Sequence, residues 1–263
     1  METVRDVPDS TQIWFVSDIH LYHGGTEYLD QFLQFIRTSA GTADELWIVG
    51  DLFEFWIGPR QGALPFYEPL LEEFGKLASS GTQLKVIHGN RDFLMGRAMM
   101  NAGATLLPDE VTLKTAEGLL HISHGDQFCI HDRSYQIARV IMRSWPIRFI
   151  ASILPVGFGL MLARRYRKIS EKKKASSKQR GNGSRFHTIE DGIKELLRKT
   201  PVEIVLCGHI HDYAERSLTI SEHTCRIVTT GAWEEGPNYA ILSAGSLSLH
   251  RLEATAKPAP PLV

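Results

Sequence analysis

Asp18 and His20 flank a single residue at the end of the apolar run IWFVSDIH (13–20). Asp51 closes ELWIVGD (45–51), and Asn90 closes LKVIHGN (84–90). His124 stands near the end of LLHISHGD (119–126), and His209 and His211 end EIVLCGHIH (203–211). Carboxylate, imidazole and carboxamide groups all offer lone pairs to divalent cations. With no cysteine among them they suit Mn, Fe, Zn or Mg rather than a closed structural zinc. Taken one at a time, each residue has an ordinary explanation: a helix cap for an Asp after a strand, a turn for a His beside glycine. Seven donors at the ends of five runs share one explanation, a common metal site. Seven donors are too many for one ion. Two ions about 3.5–4 Å apart, bridged by a carboxylate, are a standard device for phosphoryl chemistry, where they activate water and offset charge on the phosphorus oxygens.

The elements that must position these residues can be read from the same runs. Helix-like segments Glu27–Thr38, Pro65–Ser80, Phe93–Ala102 and Thr188–Arg198 separate most of them. Short strands alternating with helices predict βαβ units and a largely parallel sheet. Continuous apolarity predicts strands buried on both faces. In such sheets ligands bind at the carboxyl ends of the strands, where all seven donors lie. The glycines at 50, 89, 125 and 208 permit sharp turns there. Val111–Thr115 reads as a hairpin partner of LLHISH, and CRIVTTGAW, YAILSA and SLSLHRL read as consecutive antiparallel strands.

The chain has 263 residues, enough for one large α/β domain or two small ones. A formal net charge of -1 gives no global footprint for nucleic acid, and none is expected as a partner. Cys129, Cys207 and Cys225 have no metal-type spacing, which points to a reducing compartment. The opening METVRDVPDS carries acids and no apolar run, unlike a signal peptide. The most apolar stretch, 149–163, has 15 residues with Pro155, Gly157 and Gly159 inside it. A spanning helix needs about 18–20. The region 131–183 breaks the βαβ rhythm as a helix-like insertion, apolar in the middle and basic at its end. From Arg164 to Arg180 nine basic residues stand against one acid. An apolar face beside cations is the signature of a surface that adheres to an anionic bilayer. The simpler alternatives are a core helix for the apolar part and a solvated loop for the charge run.

The set D-x-H (Asp18, His20), G-D (Gly50, Asp51), G-N-R-D (Gly89 to Asp92), H-G-D (His124 to Asp126) and G-H-x-H (Gly208 to His211) resembles the calcineurin-like metallophosphoesterases. The order matches theirs from residue 13 to residue 211. The resemblance implies an α/β fold of the α-β-β-α type: two mixed sheets flanked by helices, with an inserted helical lid. The core would be one discontinuous domain, 11–130 and 184–253, with the lid at 131–183 and a loose tail at 254–263. By the same resemblance Asp18, His20, Asp51 and His211 hold one metal. Asp51, Asn90, His124 and His209 hold the other, with Asp51 bridging.

One position departs from the common pattern and narrows it. Many of these enzymes have histidine after the Asn, in G-N-H-E/D, where it contacts the phosphate and protonates the leaving group; here the residue is Arg91. A guanidinium with a pKa above about 12 is no general acid, but it grips phosphate oxygens bidentately. Arg91 therefore reads as a clamp, serving with Asn90 and His209 in catalysis. It suits a leaving group that needs little protonation, such as a nucleotide phosphate departing from a pyrophosphate. The structural alternative is a salt bridge from Arg91 to Asp92.

GDLFEFWIG (50–58), HGNRDFLMG (88–96), ATLLPDE (104–110), HGDQFCIHDRSYQ (124–136) and GAW (231–233) closely resemble the UDP-2,3-diacylglucosamine pyrophosphohydrolases of lipid A synthesis. That group cleaves UDP-2,3-diacylglucosamine to 2,3-diacylglucosamine 1-phosphate (lipid X) and UMP, typically with two Mn ions, and has an acyl-chain chamber beneath the lid. The resemblance implies that Asp132 and Tyr135 contact sugar or phosphate, and that Arg167, Ser170, Lys174 and Lys178 line the headgroup site. It implies a lipid nucleotide as substrate and no obligate protein partner. It also implies a cytoplasmic enzyme, peripheral on the inner face of the bacterial cytoplasmic membrane. YHGGTEY after DIHL, the segment EKKKASSKQRGNGSRFH and the loop GHIHDYAERS depart from the group's usual runs. Two other readings stay in view. A metallophosphoesterase for another phosphodiester, such as a phospholipid headgroup diester or a cyclic nucleotide, would typically keep the histidine after Asn and lack the apolar insertion, whereas one for another nucleoside-diphosphate lipid would look similar. A non-catalytic scaffold of the same fold would have lost metal ligands.

Overall fold

The computed structural model describes residues 4–22, 27–39, 42–153, 157, 161 and 185–252. Among these, the apolar runs pair into two six-stranded sheets, as the family resemblance implies, rather than the single sheet that strand–helix alternation alone predicts. The first is ordered β1 (Val4–Asp6), β6 (Glu110–Thr115), β7 (Gly118–Ser123), β8 (Ile204–Cys207), β10 (His223–Thr229), β9 (Ala214–Ile220). The second is ordered β12 (Ser246–Arg251), β11 (Asn238–Ser243), β2 (Ile13–Val16), β3 (Glu45–Val49), β4 (Gln83–Ile87), β5 (Thr105–Leu106).

Both sheets are mixed. In the second, β2 through β5 run parallel, joined by helices α1 (Glu27–Ser39), α2 (Glu68–Ser79) and α3 (Gly96–Asn101), while β11 and β12 add antiparallel strands. In the first, β6 and β7 form the expected hairpin, and β7, β8 and β10 are parallel. The short strands β1 and β5 carry too few residues to show a period in the sequence. The crossover from β7 to β8 contains α4 (Arg133–Met142), α5 (Trp145–Ile153) and α6 (His187–Lys199).

Three clusters of buried side chains account for the layering. Ile13, Phe15, Trp47, Val49 and Ile87 of one sheet meet Leu113, Leu120, Ile122, Leu206 and Val228 of the other. Phe32, Phe35, Phe74 and Trp233 pack against Val16, Ile48 and Val86 on the outer face of the second sheet. Ile189, Ile193 and Leu197 of α6 cover Val205, Cys207 and Ile227 on the outer face of the first. The central strands β2, β3 and β8 are thus buried on both faces, hence the continuous apolarity of their runs. That pattern says a face is covered without saying what covers it, so a second sheet could stand where a helix was expected.

Helix bounds follow local rules. The segment expected from Pro65 starts at Glu68, with Pro69 in the first turn, where its missing N–H costs nothing. The segment expected from Phe93 starts only at Gly96, because Asp92 first closes a turn in which its carbonyl accepts the Met95 N–H at 2.9 Å.

The apolar part of the insertion does not behave as a core helix over its described residues. Helix α4 buries none of its side chains. Ile137, Val140, Ile141, Trp145, Phe149, Ile150 and Met161 are all exposed. Helix α4 is nonetheless anchored. Arg139 reaches Asp126 at 2.7 Å and Asp109 at 2.9 Å, and Arg143 pairs with Asp109 and donates to the Gly89 carbonyl at 3.0 Å. No helix among the described residues is long and apolar enough to cross a membrane.

At the amino ends of the strands, away from the seven donors, Glu45 of β3 is only 2% exposed. Arg5 of β1 donates to it, as do Lys85 (2.8 Å) and the Trp47 indole (2.7 Å), joining the two sheets through one carboxylate. Burial raises the Glu45 pKa, but these partners outweigh burial and hold it down to about 2. Glu45→Gln, which leaves the Lys85 ammonium without its counter-charge, is expected to cost about 3–5 kcal/mol at pH 7. A depressed carboxyl pKa contributes stability above its unfolded value and loses it as pH falls, here from 4.5 towards about 2. Urea unfolding of both proteins at pH 7 and pH 3 should therefore show a smaller gap at pH 3. Equal stability at pH 7 would refute this account of the Glu45 cluster.

Candidate metal centre

The strand ends of both sheets meet at one edge, and the seven donors converge there. Asp18, His20 and His211 present ligand atoms within 4.8 Å of one another, as do Asp18, Asp51 and His124. The two groups share Asp18. The Nε2 atoms of His20 and His211 face each other at 3.0 Å, and Asp18 Oδ1 lies 3.7 Å and 3.4 Å from them. Asn90 Oδ1 sits 3.0 Å from His124 Nε2 and 3.2 Å from His209 Nδ1, so the carboxamide joins the second group.

The local backbone that aims these side chains is costly. Asp18, His20, Asp51, His209 and His211 all have left-handed φ, between 49° and 67°. A non-glycine residue there costs roughly 1–2 kcal/mol. Such strain persists only where surroundings over-determine it. Here the Asp18 and His20 N–H groups bond to the Gly50 and Asp51 carbonyls at 3.1 Å, and Trp233 N–H bonds to the Asp18 carbonyl at 3.1 Å.

The glycines divide into two kinds. Gly50 and Gly125 have positive φ and make the turns expected of them. Gly89 and Gly208 serve instead as space. A methyl group at Gly89 would lie 2.1 Å from Asp51 Oδ1, and one at Gly208 would lie 2.1 Å from Asp18 Oδ2. The two carboxylates occupy the room that side chains would fill.

The electrostatics favour a cation. Asp18 is fully buried, and its Oδ1 accepts no hydrogen bond. Its other oxygen takes the Ser17 hydroxyl at 2.5 Å and the His209 N–H at 3.0 Å. Burial opposes ionisation of Asp18, yet the nearby imidazole of His211, with those of His124 and His20, holds its carboxyl well below the usual range. Burial raises the pKa of Asp51, against the pull of His124 and Arg91. His124 is shifted upward because Asp51, Asp18 and Asp126 outweigh burial. Its Nδ1 lies 3.0 Å from the Val49 carbonyl, to which it donates. A neutral His124 therefore turns its Nε2 lone pair towards the Asn90 oxygen, acceptor against acceptor, and a divalent ion between them resolves that clash. His209 is pushed down to about 4 by burial and by His124, so its ring is neutral at pH 7 and able to ligate. The residues fit a pair of divalent ions.

Arg91 turns away from the salt bridge to Asp92 that was its structural alternative. Its guanidinium pairs with Glu54 and comes within 3.4 Å of Asp51 Oδ2, and its N–H bonds to Asp51 Oδ1 at 3.0 Å. Asp92 is buried and receives the Gly89 and Phe53 N–H groups at 2.9 Å and 3.3 Å. Burial and the charge of Asp51 push it up to about 7.

A model of the calcineurin-like phosphoesterase family matches residues 11–213. The chain belongs to that family. Its curated relatives include proteins named UDP-2,3-diacylglucosamine hydrolase. The one from Tolumonas auensis is 33% identical over 223 residues, 84% of this chain and 88% of that relative. Those from Aeromonas salmonicida and Stenotrophomonas maltophilia are each 31% identical, over 90% of this chain and 92% and 97% of theirs. Among solved structures, an archaeal phosphodiesterase aligns with a TM-score of 0.47 at 9% identity, covering 92% of this chain and all of that one.

The phosphoesterase centre also contains residues that the strand-end pattern did not single out. Ser17 and Thr230, 2.6 Å apart, brace Asp18. Thr230 ends the strand run CRIVTT, so the same rule applied to β10 would have found it. Glu54 lies three residues beyond Asp51, where no spacing rule points. Asp132 caps α4, accepting from the Tyr135 N–H at 2.9 Å. The Tyr135 hydroxyl donates to Asp126 at 2.9 Å, and its ring stands 6.2 Å from that of His209. Burial and Asp126 raise its pKa, so it remains a phenol. Arg167, Ser170, Lys174 and Lys178 lie outside the described residues.

In this phosphoesterase, Gly208→Ala is expected to displace Asp18 and to lower metal content by more than half while the chain stays folded. Metal analysis of the purified protein beside circular dichroism checks it. Full metal content in the alanine variant would refute the packing argument.

Proposed function

We propose that this phosphoesterase hydrolyses the pyrophosphate of UDP-2,3-diacylglucosamine to lipid X and UMP. The observation that carries the reading is Arg91, held by carboxylates against Asp51 where a general-acid histidine stands in many relatives. A pyrophosphate linkage leaves as a phosphate and needs no strong acid. The 31–33% identity to UDP-2,3-diacylglucosamine hydrolases over most of the chain supports the substrate.

Two divalent ions, for which Mn is our choice, would supply Lewis acidity and a nucleophilic water at neutral pH. Asp18, His20, Asp51 and His211 would hold one, and Asp51, Asn90, His124 and His209 the other. The residues themselves do the rest. Arg91 grips non-bridging phosphate oxygens and offsets the charge that grows on them. His209, neutral at pH 7, presents its ring to the same oxygens beside Asn90. Asp126 fixes the Tyr135 hydroxyl, which keeps that ring beside His209 for the sugar-phosphate part. Water oxygen bonds to one phosphorus, the P–O bridge breaks, and the departing phosphate keeps the bonding pair.

The exposed apolar side chains of α4 and α5 would meet the acyl chains, and the basic residues 164–180 would meet headgroup phosphates. Arg167, Ser170, Lys174 and Lys178 are the substrate contacts we place there, with Asp132 at the entrance. The same surface would seat the enzyme on the cytoplasmic face of the membrane.

Purified Mn-loaded protein, mixed with UDP-2,3-diacylglucosamine in detergent micelles in water enriched in heavy oxygen, is expected to yield lipid X and labelled UMP. Mass spectrometry reads both products. Turnover of an aryl phosphodiester without turnover of the lipid would reject the substrate while keeping the chemistry. Arg91→Ala is expected to lower kcat by about 10²–10³, with metal content unchanged. Loss of the metals in that variant would make Arg91 structural and sink its role as a clamp.

A further inference from the structure

Glu54 is the carboxylate that the proposed chemistry has not yet used. It sits in the loop after β3, 14% exposed at its side chain, with its N–H on the Leu21 carbonyl at 3.0 Å. An isolated bridge between Leu21 and Phe53 ties this loop to the one carrying Asp18 and His20. Its two oxygens face different partners. Oε1 pairs with Arg91, and Oε2 lies 3.4 Å from His20 Nδ1. The other nitrogen of His20 is the one that faces Asp18 and His211.

We propose that Glu54 is a positioning residue that serves both halves of the centre. Through His20 it fixes the imidazole with a proton on Nδ1, so the Nε2 lone pair is free for a cation. A carboxylate behind a ligating histidine orients the ring and raises its basicity. Through Arg91 it sets the guanidinium plane. Arg91 also touches Asp51, and Asp51 belongs with Asp18 and His124. A side chain with long reach needs such an anchor, because each rotamer left open lowers the fraction of time that the clamp faces the phosphate. One side chain thereby couples the pose of a metal ligand to the pose of the anion clamp. The inference rests on the metal-dependent phosphoester reading, but not on the identity of the lipid.

Four variants separate the two couplings: Glu54→Gln, Glu54→Ala, Arg91→Ala and the double variant Arg91→Ala with Glu54→Gln. Metal binding is measured by calorimetry with Mn, and anion binding by inorganic phosphate as an inhibitor of aryl phosphodiester hydrolysis. Glutamine keeps an acceptor for His20 Nδ1 but loses the charge facing Arg91. It should bind Mn within about threefold of wild type and bind phosphate about tenfold more weakly. Alanine loses both partners, and its Mn affinity should fall by about 10–100-fold. In an Arg91→Ala background, adding Glu54→Gln should change phosphate inhibition by less than about twofold, because that effect runs through Arg91. Wild-type Mn affinity in folded Glu54→Ala would overturn the His20 half. An independent loss of phosphate affinity in the double variant would overturn the Arg91 half. Failure of the wild type on the lipid leaves both measurements intact, so the two readings fail separately.

Discussion

Two buried carboxylates, Asp18 and Asp51, stand close enough to share a metal-sized space, and both are withdrawn from water. Like charges in that setting raise each other's proton affinity and destabilise the fold unless positive charge is near. Much of the surrounding structure answers this constraint. His20, His124, His209 and His211 bring lone pairs that direct a cation into the space. Arg91 brings fixed positive charge to its rim. Gly89 and Gly208 make the room by having no side chain. Five ligand-bearing residues adopt strained backbone so that their side chains point inward. The contrast with Glu45, at the other end of the strands, is instructive. There a buried carboxylate is neutralised permanently by Arg5 and Lys85, and nothing is left to react. At the metal edge the compensation is exchangeable, which is what chemistry requires.

Much of the centre was legible in the sequence because it obeys a simple rule. Strands whose faces are covered show as apolar runs, and the polar residues that end such runs cannot be core. Asp18, His20, Asp51, Asn90, His124, His209 and His211 all announced themselves in this way. The split into two sheets did not, since an apolar face reads the same against a helix or a sheet. Nor did β1 and β5, which are too short to show a period. The roles of Gly89 and Gly208 were misjudged for a physical reason: a turn and a close approach both favour glycine, and only coordinates tell them apart. Glu54 and the pair Arg139 and Arg143 were invisible because long side chains reach partners that sequence separation does not reveal. Arg91 shows the same limit. Its charge could be read, but not that its partners would be Glu54 and Asp51 rather than the adjacent Asp92.

Strands β7 and β8 lie side by side and parallel, so the chain must cross from one end of the sheet to the other between them. One helix of moderate length is enough for such a crossing. Helix α6 already provides it, packed on the outer face of that sheet. Helices α4 and α5, which lie between the site residues that follow β7 and the start of α6, are therefore surplus to the topology. Lengthening a surface excursion costs little, since closure entropy grows only with the logarithm of its length. The catalytic edge and the excursion can accordingly change at different rates over evolutionary time. A lineage could retune which molecules reach the centre by rewriting one segment, while the hydrolytic apparatus is inherited intact.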